Sequence, residues 1–322
     1  MARDDNGNIL WAEKRAEFEK NKKIYDSAIL TFRGAEGYDV YNCSIPFEHE
    51  GERYIYGRAE RRDEWSASHV CRFKEVAPDV FEKVPNSRTY ELEDPFLAYI
   101  HGERILGGTN VNKQGGEFES YDCRFYRGND PEHLAYFTSG PKNMKDIRLV
   151  QMENGIGVFS RPEGLVGFTV IRDITELTAE VIANAPIVDF IDENGYGGAN
   201  QCYYLESGKI GIIGHMVYPK TLSDGRVERV YINVAAVFDP ETKKTIETKI
   251  IGTRRCYPAS DQIRVHPTGI PLDDTAFTSG IVMRSDGKAD LYSGLSDALE
   301  GRITIDYPFE GFGKIVYGDV LK

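Results

Sequence analysis

The sequence has no apolar run near the roughly 18 to 20 residues that a membrane-spanning helix needs, so it carries no candidate span of that kind. It opens Met-Ala-Arg-Asp-Asp-Asn-Gly, without the basic-then-apolar order of a secretory leader, and the expected location is the cytoplasm. Cysteine is scarce. Cys43, Cys71, Cys123, Cys202 and Cys256 are odd in number, far apart and form no CxxC pair, which argues against a disulfide framework or a zinc site and in favour of buried thiols. The six histidines show neither HxH nor HExxH spacing, so no metal is expected. No GxGxxG opens a helix, no GxxxxGK(S/T) loop is present, and no GxSxG elbow occurs; dinucleotide folds, P-loop folds and serine hydrolases thereby lose their fingerprints. Net positive charge is lacking too. At a formal charge of -12 the chain weighs against a nucleic-acid partner, because a phosphate backbone needs a basic face.

What is present is a 322-residue chain with 41% hydrophobic residues, enough for a large core. Trp11 to Lys23 is rich in Glu, Lys and Ala and is the one plausible helix outside short connectors. The rest reads as short strands rich in β-branched and aromatic residues, such as Tyr54–Gly57, Phe96–Ile100, Gly155–Ser160 and Tyr231–Phe238. Five hairpin signals punctuate them: His49-Glu50-Gly51, His101-Gly102-Glu103, Glu153-Asn154-Gly155, Ser207-Gly208-Lys209 and Ser285-Asp286-Gly287. No linker separates these units, which suggests one all-β domain of repeated antiparallel sheets. A five-bladed β-propeller over 31–322, preceded by a helical extension over 1–30, uses the length well; a large β-sandwich is the alternative. In a propeller the inner strands aim side chains from distant positions into one central pocket.

Several segments could supply that pocket. Asn42-Cys43-Ser44-Ile45-Pro46 offers donors and acceptors to a hydroxylated ligand, or forms only an Asx turn. Arg58 and Glu60 share a strand face by the period of two, as a site pair or as a surface ion pair. In Glu93-Asp94-Pro95 the proline should hold Asp94 extended and fix its carboxylate, though Asp-Pro is also an ordinary turn. A carboxylic acid half-removed from water keeps its proton longer and can give it to a leaving oxygen. Lys142, Lys145 and Asp146 follow, then Arg161, whose planar fork suits phosphate or carboxylate. His215 ends an apolar strand, a place where histidine is more often structural; Arg229-Val230-Tyr231 opens another strand, and Asp297 closes a small-residue loop that begins at Tyr292.

Taken in order from Tyr41 to Pro308, these segments resemble the five-bladed β-mannoside phosphorylases and hydrolases of glycoside hydrolase family 130. They are more similar still to the related mannosyltransferase-phosphorylase family that turns over β-1,2-mannan in Leishmania and has bacterial relatives. Asn42-Cys43-Ser44 resembles the family's Asn-Pro-Ser loop, Arg58-Ala59-Glu60 its Arg-Ala-Glu strand, and Glu93-Asp94-Pro95 the segment of the general acid, with Phe96 where the phosphorylases usually have Arg. Tyr292 to Asp297 is similar to the Tyr-Tyr-Gly-x-x-Asp loop. The resemblance implies that Asp94 is the catalytic acid, that Asn42, Ser44, Arg58, Glu60, Lys145, Asp146, Asn200 and Asp297 bind sugar, and that Arg161, His215 and Tyr231 hold phosphate, with Lys142 added by proximity. The activity expected is inverting phosphorolysis of β-mannosides, β-1,2-linked, to α-mannose 1-phosphate, and the reverse synthesis. Phosphorolysis is preferred because phosphate is already an anionic nucleophile, whereas a hydrolase needs a second carboxylate, Glu60 or Asp146, to activate water. A GDP-mannose-dependent transferase and a non-catalytic carbohydrate-binding propeller compete with these two enzymes. No cofactor is expected beyond phosphate as co-substrate. The expected partners are a mannoside oligosaccharide and phosphate, with self-association allowed, no nucleic acid and no membrane.

Overall fold

The computed structural model describes residues 10–65, 67–114, 117–190 and 196–319. Its strands form five sheets, one per blade. Blade 1 begins with two short segments, Tyr38–Tyr41 and Phe47–His49, that both pair with Glu52–Arg61; His69–Ala77 and Val80–Lys83 follow, and Thr31–Arg33 adds in parallel at the outer edge. Blade 2 is Glu93–Ile100, Glu103–Gln114, Glu117–Gly128 and Ala135–Ser139. Blade 3 is Arg148–Met152, Gly155–Ser160 and Gly167–Ile171. Tyr196–Leu205, Ile210–Thr221, Val227–Asp239 and Lys244–Gly252 make blade 4, with Ile315–Tyr317 paired to the end of its first strand. Blade 5 is Ala276–Met283, Ala289–Leu295 and Leu299–Ile305, and its outer strand is Asp26–Ile29.

That last pairing closes the ring. Residues 26–29, expected in the helical extension, belong to the propeller, because an unpaired edge on the final blade is satisfied by the strand that the beginning of the chain can deliver. Each successive pair of blades is in contact, and blade 5 in turn contacts blade 1. The five turn signals fall at one equivalent place, between the innermost strand of each blade and the strand that follows it. In two of them the turn residues are both left-handed, Glu50–Gly51 and His101–Gly102, the twist that a tight antiparallel hairpin requires.

The core lies between blades. Ile210, Ile212 and Ile213 are all buried although side chains alternate along a strand, since each blade is covered on both faces by its neighbours. Phe159, Phe168 and Phe238 meet where blades 3 and 4 pack, with the rings of Phe159 and Phe168 centred 5.3 and 5.0 Å from that of Phe238. Truncating one such ring to alanine would cost about 3–5 kcal/mol. The helix Trp11–Asn21 straps the ring from outside: Trp11 enters the core of blades 3 and 4, and buried Arg15 grips Asp274 through two bonds of 2.6 and 2.7 Å.

Candidate functional site

The innermost strands of four blades are irregular at the residues that matter. In blade 1 the strand is broken after Tyr41, where Asn42 turns left-handed (φ 45°) and Pro46 lacks the N–H that a continued ladder would use. In blade 2 the register slips between Glu93 and Phe96; in blade 4 it slips at Asn200, and in blade 5 at Ser279. An extra residue of this kind bends the strand and re-aims a side chain, which is why bulges gather at binding pockets. Asp94, Asp146, Ser296 and Asp297 are left-handed as well, at φ 49°, 58°, 54° and 49°. The extended conformation expected of Asp94 ahead of Pro95 is therefore corrected: the bulge forces it into the left-handed region, at a cost of about 1–2 kcal/mol. Blade pairing on either side holds the strain in place.

On the side of blades 1 and 2, carboxylates crowd around two arginines. Asn42 Nδ2 and Arg58 Nη1 both donate to Asp94 Oδ1, each at 2.9 Å, so two donors fix the orientation of the carboxylate. The buried Arg58 also donates to Ser68 Oγ at 2.8 Å and pairs with Glu93 at 3.2 Å and Glu60 at 3.4 Å. Glu60, wholly buried, accepts from Tyr41 at 2.6 Å, from the Ala67 N–H at 3.1 Å and from Arg264. Arg264 comes from the long loop between blades 4 and 5 and is itself buried against Asp39, Tyr41 and Trp65. Burial pushes Glu93 up, with Arg58 opposing and Asp94 reinforcing the shift. Burial likewise raises Asp297 to about 6, offset by Arg58 and reinforced by Asp94. Asp39, Glu60, Glu93, Asp94 and Asp297 thus outnumber the guanidinium groups of Arg58, Arg62 and Arg264, and Glu93 and Asp297 are driven towards their protonated forms.

On the side of blades 3 and 4 the balance reverses. Asp146 and Arg161 form a buried pair at 2.8 Å. Burial alone would raise Asp146, but Lys145, Arg161 and Arg148 outweigh it and hold the carboxylate well below its usual range. Lys145 is pushed up by Asp146, against burial, with Asp94 and Glu93 adding to the shift, so its ammonium responds to carboxylates of both sides. Arg161 passes so close to blade 4 that a Cβ on Gly198 would sit 2.3 Å from its Nη1; glycine is required there by close approach. Its Nη2 is buried and has no hydrogen-bond partner among the described residues. An unsatisfied buried guanidinium nitrogen is costly alone and is relieved by an anion.

His215 Nδ1 lies 2.7 Å from Asn200 Oδ1, and Arg148 Nε donates to the Asn200 carbonyl at 2.6 Å. Burial, then Arg161, lowers His215 to about 3. The ring is therefore neutral and, with Nδ1 donating to Asn200, offers Nε2 as an acceptor. Tyr231 adjoins it, with ring centroids 5.9 Å apart.

The structure brings Asn42, Arg58, Glu60, Asp94 and Asp297 into one group and Lys145, Asp146, Arg161, Asn200, His215 and Tyr231 into another. Two expected residues fall outside. Ser44 is buried, its hydroxyl donating to the Ile45 carbonyl at 2.9 Å and accepting from the Tyr56 N–H at 3.1 Å, so it repairs the broken strand. Lys142 is largely exposed and pairs with Glu119 at 3.2 Å on the surface. Four further residues join the site without having been expected there: Tyr41, Glu93, Arg148 and Arg264. Glu93 and Arg148 adjoin recognisable motifs; nothing in the loop around Arg264 marks it before folding.

The family described as a protein of unknown function (DUF1861) matches residues 16–311. Comparison with curated proteins finds no match. Among solved structures, the chain is 50% identical to a mannose phosphorylase from Leishmania mexicana in complex with a phosphate ion, over 97% of each chain, with a TM-score of 0.91. It is 45% identical to a GDP-Man-dependent mannosyltransferase from the same organism, over 97% of this chain and 99% of that one, with a TM-score of 0.90. A hypothetical protein from Leishmania major is 49% identical, over 96% and 99%, at a TM-score of 0.86.

Proposed function

The chain belongs to the DUF1861 family and to the family of the Leishmania mannose phosphorylase and mannosyltransferase, and from that premise we propose that it catalyses the reversible, inverting phosphorolysis of β-mannosides. The observation that carries the reading is the unpartnered, buried Nη2 of Arg161 beside Lys145, in a pocket whose other side holds Asp94. Phosphate supplies the missing partner. Asp94 protonates the glycosidic oxygen, directly or through a sugar hydroxyl, as the C–O bond breaks; a phosphate oxygen attacks the anomeric carbon from the opposite face, and α-mannose 1-phosphate forms. In reverse, Asp94 takes the proton from the acceptor hydroxyl and phosphate departs. Arg161 and Lys145 stabilise the phosphate charge, His215 Nε2 accepts from its hydroxyl, and Asn42 and Arg58 orient the acid.

The hydrolase reading is weakened by the engagement of both carboxylates expected to serve it. Glu60 has its lone pairs taken by Tyr41, Arg264 and Ala67, and Asp146 is held ionised by Arg161 and Lys145, which makes it a feeble base. A GDP-mannose-dependent transfer is the second reading, favoured by the 45% identity to the transferase. The β-1,2 linkage is part of the proposal, as is the need for no cofactor. A cytoplasmic location is supported by five free, buried thiols; among the described residues no helix is long and apolar enough to cross a membrane. The test is incubation with β-1,2-mannobiose with and without phosphate. Mannose 1-phosphate formed only with phosphate is the expected result; free mannose without phosphate would favour the hydrolase, and turnover only with GDP-mannose the transferase.

A further inference from the structure

A cleft of about 540 Å³ opens between blades 1 and 2, lined among others by Ala67, Ser68, Glu93, Asn110, Asn112 and Arg124. We propose that this cleft binds the departing oligosaccharide, and in the synthetic direction the accepting one, beyond the sugar that is transferred. The inference rests on the reading of Asp94 as the acid.

Connection comes first. Ser68 and Glu93 line the cleft and share Arg58 with Asp94, at 2.8, 3.2 and 2.9 Å, so the acid stands at the head of the cleft. In an inverting displacement the nucleophile and the leaving group occupy opposite faces of the sugar. The guanidinium nitrogen that suits an anion, Nη2 of Arg161, buried and without a hydrogen-bond partner among the described residues, lies at the junction of blades 3 and 4. The leaving group must then exit past Asp94, towards blades 1 and 2, where the cleft lies.

Chemistry comes second. Asn112 donates to Asp122 at 2.6 Å, Arg124 donates to Asn112 at 3.0 Å and to Asp122 at 3.2 Å, and Asn110 donates to the Glu91 carbonyl at 2.8 Å. This network spans two neighbouring strands of blade 2 and fixes amide and guanidinium groups along the cleft wall. Arg124 is neutralised by Asp122, and Lys113 on the same wall is balanced by Glu91 and Glu93, so the cleft presents no excess of positive charge that would select an anion and suits a ligand without charge. Polyol hydroxyls, which donate and accept, match fixed amides and carboxylates. The volume lies within the roughly 300–1,000 Å³ of sites for ligands larger than one small ring, which fits a short chain of sugars.

The test uses the full chain and a series of β-1,2-mannosides of two to four sugars. Asn112→Ala removes one wall contact, and Ala67→Trp adds bulk at an exposed lip while keeping the backbone N–H bond to Glu60. Asn112→Ala should raise KM for the trisaccharide and tetrasaccharide by about five- to tenfold, the worth of a typical hydrogen bond, Ala67→Trp should raise it at least as much by filling the cleft, and both should leave KM for phosphate unchanged. Mannoside constants at wild-type values in both variants, or a KM for phosphate that rises in step, would overturn the proposal. Where the wild type shows no phosphorolysis, the proposed function fails separately, and calorimetric titration with the tetrasaccharide still decides. Binding lost in Ala67→Trp and kept in Asp94→Asn supports the cleft. No binding to the wild type, binding indifferent to Ala67→Trp, or displacement of the tetrasaccharide by GDP overturns it.

Discussion

The two sides of the pocket are made from the same kind of inner strand, yet they treat charge in opposite ways. Around Arg58 and Arg264 there are more carboxylates than guanidinium groups, and burial drives Glu93 and Asp297 towards the protonated form. Around Asp146 there are three cations, Lys145, Arg148 and Arg161, and the carboxylate stays ionised although it is buried more deeply than Glu93. Burial alone therefore does not decide what a carboxylate does; the local count of opposite charges does. One side can retain a proton and the other can receive an anion, the division of labour that phosphorolysis needs.

The largest expected effect breaks the proton-retaining side. Asp94→Asn should lower kcat by about 10²- to 10⁴-fold while mannoside affinity, read by calorimetry, is retained. Undiminished turnover would remove Asp94 from the mechanism. On the other side, Arg161→Ala should raise KM for phosphate by about 10- to 100-fold, the worth of a hydrogen bond to a charged group, with Arg161→Lys recovering part of the loss. If KM for phosphate is unmoved in both variants, the anion sits elsewhere.

A third prediction sharpens the contrast through a group just outside the pocket. Glu300 is wholly buried, accepts from the Cys43 N–H at 3.0 Å and from Ser279 at 2.9 Å, and burial raises it to about 8. Because the folded value lies above the unfolded one, its stabilising contribution is complete below about pH 4 and is lost as pH rises through 8, amounting to roughly 3–5 kcal/mol across that window. Melting temperature should fall from pH 6 to 9 in the wild type and stay nearly level in Glu300→Gln; parallel curves would refute it. The smallest effect is at Lys142, where Lys142→Ala should change stability by less than about 0.5 kcal/mol and leave KM for phosphate as it was.

Much of the architecture was legible beforehand because turn chemistry is local. Glu50-Gly51, His101-Gly102 and their three counterparts mark the same hairpin in every blade, and a left-handed turn residue needs no distant neighbour to be recognised. The acid-bearing segment, Arg58 with Glu60, and Lys145-Asp146 were equally readable as motifs. Three properties were not. Proline at 95 argued for an extended Asp94, and only the pairing of Glu93–Ile100 with Glu103–Gln114 imposes the bulge that overrides it. Ser44 looked like a ligand until Tyr56 claimed its hydroxyl across the blade. Arg264, 204 residues from Glu60 along the chain, reaches it only when blade 5 closes on blade 1.

Periodicity, turn residues and the types of side chain near each strand end are properties of short segments, and those the sequence determined by itself. Which carboxylate is neutralised, which guanidinium nitrogen is left without a partner, and whether His215 is charged depend on desolvation and on charges brought from other blades. Those are sums over the folded ring, and only the tertiary structure decided them.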